Sequence, residues 1–140
     1  AVAAEHFRAM NGFDERFRTS EDREFCDRWL ARGARLAYAP DALVRHAHPL
    51  TLRTLWRQHF DYGRGARRVH RAREARGHGR FKPDLAFYLK LLREPLMRAQ
   101  KLSRAPESPR AQTAPAAAKM LALLLWSQLA NTAGFFSERS

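Results

Sequence analysis

Apolar residues recur at spacings of three and four along much of this chain, and they predict a succession of helices. Glu5 to Met10 reads as one or two helical turns after a strand-like Ala1-Val2-Ala3-Ala4, and Asn11-Gly12 stops them because both residues tolerate the left-handed conformation. A second helix carries Phe25, Cys26, Trp29 and Leu30 on one face, and Gly33 closes it. Arg35-Leu36-Ala37-Tyr38-Ala39, a Pro40-Asp41 turn and Ala42-Leu43-Val44-Arg45-His46 then read as a short strand, a turn and a second short strand.

Thr51 is a predicted N-cap for a third helix, whose apolar stripe is Leu52, Leu55, Trp56, His59 and Phe60. Tyr62-Gly63-Arg64-Gly65 breaks that pattern. Pro83 suits the first position of a fourth helix with Leu85, Tyr88, Leu89, Leu92 and Leu96 on one face, which Pro95 should kink or end. Residues 103–115, with Pro106, Pro109 and Pro115, read as a linker. Ala116 to Phe136 is largely apolar, and its uncharged stretch from Met120 sits at the lower edge of the roughly 17–25 residues that span a bilayer. Ser127, Gln128, Asn131 and Thr132 speak for a helix in the membrane interface or packed on its neighbour.

The second helix begins with the acidic pair Glu21-Asp22. Thr19 or Ser20 is its expected N-cap, and Thr19-x-x-Asp22 fits a capping box. Carboxylates in a first turn are favoured by the macrodipole, so helix stability alone accounts for them. A rigidly held, ionised carboxylate is also a good general base.

Charge sharpens the picture. The formal net charge is +12, and it is uneven: residues 1–50 balance 8 basic against 8 acidic side chains, whereas residues 51–82 hold 10 against 2. Arg67, Arg68, Arg71, Arg73, Arg76 and Arg80 crowd that middle segment, either as a solvated face or as contacts to phosphate. A single cysteine, Cys26, excludes an internal disulfide and points to a reducing compartment, and its place on the apolar face makes it a small core residue.

The order of these motifs resembles the C-terminal signature of family 2 glycosyltransferases. The residues that carry it are Asn11-Gly12-Phe13-Asp14-Glu15, Glu21-Asp22, Phe25, Arg28, Gly33, Arg35-Leu36, Tyr38, Pro40, Ala42, Val44, His46 and His48. Asn11, where glycine is usual, and Ala34, where an aromatic is common, depart from it. The resemblance implies an α/β fold: the C-terminal portion of a GT-A, Rossmann-like domain over residues 1–50, followed by a helical, partly apolar tail. Within that tail, 51–82 would close the site, 83–102 form an amphipathic helix, 103–115 a linker and 116–140 an apolar helix.

The implied activity is inverting, hexosyltransferase-type transfer from a nucleotide-diphosphate sugar to a glycan or lipid-linked acceptor, as in bacterial-like cell-envelope polysaccharide synthesis. Asp22 would be the base, with Glu21 orienting the site. His46, or secondly His48, would join an Asp-x-Asp motif on a divalent Mg or Mn; a strand-end histidine bonded to backbone explains His46 as well. The two histidines alternate on a strand, so both do not readily ligate one ion. The helix-borne run Trp56-Arg57-Gln58-His59-Phe60-Asp61-Tyr62-Gly63-Arg64 matches one that closes the active site, which makes Arg57 and Arg64 candidate phosphate contacts. No Asp-x-Asp occurs here, so the expectation is a fragment lacking the donor-binding half and inactive alone, cytoplasmic and peripheral to an anionic membrane face. A basic nucleic-acid-binding or membrane-peripheral module is the alternative, the former disfavoured because no recognised binding motif accompanies the arginines.

Overall fold

The computed structural model describes residues 2–45, 50–78, 82–103 and 110–138. Five helices follow in order: α1 (Ala4–Ala9), α2 (Glu21–Ala31), α3 (Leu52–Ala75), α4 (Leu85–Ser103) and α5 (Arg110–Ser137). α5 packs along α3, α4 packs on α5, and α2 leans on α3.

The expected α/β, Rossmann-like fold is overturned: no strand forms among the described residues. Residues 35–39 and 42–45 are irregular, with Leu36, Tyr38, Leu43 and Val44 all exposed. A strand exists only through its partner's hydrogen bonds, and among the described residues no other segment comes alongside to supply them. The strand-like reading of the first residues fails too, since α1 already begins at Ala4.

Local stop and start signals fare better. Asn11 and Gly12 have φ of 59° and 61°, and Gly33 closes α2 at 79°. Thr51 caps α3 as expected: its hydroxyl accepts from Thr54 N at 3.2 Å, and the Thr54 hydroxyl accepts from Thr51 N at 2.8 Å. Met10 and Phe25 are buried where Phe7, Phe13 and Trp29 cluster, with the Phe7 and Phe25 ring centroids 5.2 Å apart. Cys26 is half-buried beside them in sequence.

The expected break at residues 62–65 does not occur. α3 runs through it, and Gly63 and Gly65 are both buried. Each glycine lowers helix propensity by about 1 kcal/mol, but here each also lets another backbone approach. A Cβ on Gly63 would stand 2.8 Å from Asn131 C and Phe135 N, and one on Gly134 would stand 2.7 Å from Phe60 C. α3 and α5 thus cross backbone to backbone at Gly63 and Gly134. One side of the crossing is closed by Trp56 against Trp126, centroids 4.7 Å apart, with Trp126 Nε1 donating to the Leu52 carbonyl at 3.2 Å. Val69, Ala130 and Phe135 are buried around it.

Of the two outcomes expected at Pro95, the ending does not occur: α4 passes through position 95. The expected linker changes too. α5 starts at Arg110 and contains Pro115, so the second part of the expected linker is helical.

Candidate functional site

Glu21 and Asp22 open α2, as the sequence predicts, but the capping box is not formed. Ser20 occupies the N-cap position at φ 66° and gives no side-chain cap. Thr19 Oγ1 instead donates to the Asp61 carbonyl of α3 at 2.9 Å. Thr19 therefore stands one residue before the N-cap, with its hydroxyl turned to α3. Gly65 makes the approach possible, because a Cβ there would lie 2.5 Å from Thr19 Oγ1 and 2.6 Å from Ser20 Oγ. The start of the acidic helix is therefore pinned to the middle of the basic one. Asp22 is exposed, and its Oδ1 accepts from Arg23 N at 2.7 Å; Glu21 is half-buried.

Beside this junction lies a cleft of about 660 Å³. It is lined by Arg18, Arg57, Arg64 and Arg68 together with Thr19, Asp61 and Gly65. The structure so brings the two predicted arginines, Arg57 and Arg64, into one cleft and adds Arg18 and Arg68. Glu21 and Asp22 lie two and three positions after Thr19, which lines it. Planar guanidiniums offer paired N–H donors that match phosphate oxygens. The cleft has the chemistry of an anion site.

Two of these arginines share one carboxylate. Glu138, just beyond α5, accepts from Arg64 Nε and from Arg68 Nε, each at 2.6 Å. Burial alone would raise the Glu138 carboxyl, but these hydrogen bonds outweigh it and hold it below the ordinary glutamate value. The same bond raises the Arg64 guanidinium. A depressed acid stabilises the fold above its unfolded value, roughly pH 4.3, and that contribution is lost as pH falls through the folded value. The melting temperature of the wild type should therefore exceed that of Glu138→Gln at pH 7, and the gap should close as pH falls below the ordinary glutamate range. Melts followed by circular dichroism check this, and a gap unchanged by acid would refute it.

A second network ties α2 to the end of α3. Glu24 is 1% exposed and bonds Arg28 Nε at 2.8 Å and Arg76 Nη1 at 3.0 Å. Asp27 pairs with Arg73 and Arg76, and Arg28 Nη2 donates to the Gly12 carbonyl at 2.7 Å. Sequence reasoning missed Glu24 as a buried anchor, although its i,i+4 spacing to Arg28 was a visible signal. It also missed Glu138, for which no spacing gave a signal.

His46 and His48 lie outside the described residues. Among the described residues no three His, Cys, Asp or Glu side chains come together to hold a metal ion. The divalent ion that the resemblance implies would draw on His46 or His48, so the described residues bear on it neither way.

No protein-family model matches this chain, and no solved structure does. Among curated proteins, the chain is 42% identical over 59 residues to the pre-mycofactocin glycosyltransferase of Mycobacterium tuberculosis. It is 37% identical over 57 residues to the O-antigen chain rhamnosyltransferase WbaN of Salmonella anatum. These segments are 42% and 41% of this chain but only 13% and 18% of the relatives. Over about two fifths of its length, then, the chain is similar to glycosyltransferases.

Proposed function

We propose that this chain supplies the base and part of the phosphate-binding surface of an inverting, family 2-type glycosyltransferase that uses a nucleotide-diphosphate sugar. The observation that carries the reading is the junction at Gly65, which sets the Glu21-Asp22 end of α2 against a cleft of four arginines. Glycosyl transfer needs those two chemistries close together. Asp22 takes the proton of the acceptor hydroxyl as its oxygen bonds to the anomeric carbon. The bond from that carbon to the diphosphate oxygen breaks with its electron pair, and the guanidiniums stabilise the charge on the departing diphosphate. Attack opposite the leaving group inverts the anomeric centre. Glu21 orients the acceptor.

The test is binding of uridine and guanosine diphosphates to the full-length protein by calorimetry. Arg57→Gln should weaken the preferred nucleotide about tenfold, the loss of one charge-assisted pair at about 1.4 kcal/mol. Equal affinity in the variant would remove the cleft from the donor site.

The nucleic-acid alternative loses support from the ion pairs. At the far end of α3, Arg73 and Arg76 are paired with Asp27 and Glu24, which breaks up the basic stripe that a nucleic acid would follow along the helix.

Attachment to the cytoplasmic face of a membrane, and a lipid-linked acceptor, belong to the same proposal. No helix among the described residues is long and apolar enough to cross a membrane. Leu85, Phe87 and Leu89 of α4 are exposed beside the cations Lys82 and Lys90. An apolar groove of about 450 Å³ runs between Leu52 and Leu55 of α3 and Met120, Leu123 and Leu124 of α5. Co-sedimentation should favour vesicles with anionic lipid and weaken with salt. Equal binding to neutral vesicles would discard the electrostatic part.

A further inference from the structure

The proposed reaction gives Glu138 no step of its own. It is a carboxylate that pairs with two of the arginines lining the basic cleft without lining the cleft itself. We infer that Glu138 is a positioning residue, whose buried carboxylate fixes the Arg64 and Arg68 guanidiniums so that their remaining N–H groups can hold a phosphate or diphosphate. This rests on the reading of the cleft as a phosphate site.

The backbone crossing explains how Glu138 comes to be there. Gly63 and Gly134 fix the register of α3 against α5. Arg64 follows Gly63 directly, Arg68 lies one turn further on, and Glu138 lies one turn beyond Gly134. The carboxylate, 8% exposed, is thereby set between the two arginines, and each of its oxygens takes one Nε at 2.6 Å. Its main-chain carbonyl also accepts from Arg71 Nη2 at 3.3 Å, which ties the end of α5 to the same face of α3.

A guanidinium has five N–H donors in a plane, and the Nε edge uses only part of that fork. Arg68 gives one more donor, Nη1, to the Arg16 carbonyl at 3.0 Å. The side chains keep 43% and 30% exposure, so both still face solvent after pairing with Glu138. Two long side chains that would otherwise lose rotamer freedom on binding a ligand are thus ordered in advance.

A competing role predicts the opposite sign. If Glu138 simply filled the place of the anion, removing its charge would strengthen anion binding. A positioning role requires it to weaken, against the added positive charge.

Calorimetric titration of the full-length protein with inorganic pyrophosphate distinguishes these. Wild type should bind, and Glu138→Gln should bind about tenfold more weakly, a difference of about 1.4 kcal/mol. The loss should vanish in an Arg64→Gln, Arg68→Gln background and persist in an Arg57→Gln background, as a double-mutant cycle requires of directly coupled groups. Unchanged or tighter binding by a folded Glu138→Gln protein overturns the inference. So does a loss of equal size in every background, which is the mark of general structural damage. Glu138→Asp keeps the charge but shortens the reach, and covers the case in which the glutamine variant does not fold. It should also bind more weakly, and full affinity there overturns the inference. No pyrophosphate binding by wild type would instead sink the phosphate reading of the cleft itself.

Discussion

Asp22→Asn in the full-length protein should lower glycosyl transfer by about 10²–10⁴-fold, the usual contribution of a positioned general base. Asparagine has nearly the same shape and cannot take the acceptor proton. The substitution is clean in structural terms. Asp22 is exposed, and its hydrogen bond from Arg23 N at 2.7 Å can be accepted equally by an amide oxygen. Stability should therefore move by no more than about 0.5 kcal/mol. Nucleotide binding should hold, because Asp22 is not among the residues that line the arginine cleft. Initial rates and melting curves on the same preparation check both halves. Near-normal turnover would remove Asp22 from the mechanism. Glu21→Gln should be milder, and a reversed order would exchange the roles of the two carboxylates.

Gly134→Ala should be the most damaging small substitution in the helical body. In an ordinary helix interior the change would stabilise by about 1 kcal/mol, through helix propensity alone. Here the new methyl would meet the Phe60 backbone, 2.7 Å from its carbonyl carbon and 3.0 Å from its Cα. Side-chain overpacking costs about 1–3 kcal/mol because rotamers give way. Main chain has no rotamer to change, so α5 must slide off α3 or tilt, and the loss should reach the top of that range. A drop in melting temperature on the order of 10 °C follows. Displacing α5 also carries Glu138 away from Arg64 and Arg68, so pyrophosphate affinity should fall with stability. The sign decides: a stabilised Gly134→Ala protein would mean that the helices do not cross there.

Individual elements show which signals were legible. Three helix boundaries were written locally. Thr51 and Thr54 cap α3 within one turn, and Asn11, Gly12 and Gly33 take the left-handed backbone that their small or polar side chains permit. The apolar faces of α2 and α3 could be read from spacing, and Phe25 and Trp56 do pack as that spacing requires. Arg57 and Arg64 could be singled out because they sit in a recognisable run on one helix, and the cleft brings them together.

Other readings failed where the deciding partner was remote in sequence. Arg35–Ala39 and Ala42–His46 have the composition of strands, but their pairing depends on a neighbouring strand that the described residues do not contain. Thr19 has the spacing of a capping residue, yet it stands one residue before the N-cap with its hydroxyl turned to the Asp61 carbonyl, 42 positions away. Gly63 and Gly65 look like helix breakers until a second backbone is seen against each of them.

By itself, then, the sequence determined the helix boundaries at Asn11-Gly12, Gly33 and Thr51, which faces are apolar and which residue types are available for base and phosphate chemistry. All of these depend on neighbours within a turn or two. Only the tertiary structure decided that every regular element among the described residues is a helix, that glycines 63, 65 and 134 are contact points, and that Glu138 joins Arg64 and Arg68. Those outcomes depend on the close approach of segments about 40 to 75 residues apart. No periodicity encodes such an approach, because what permits it at these glycines is the absence of a side chain.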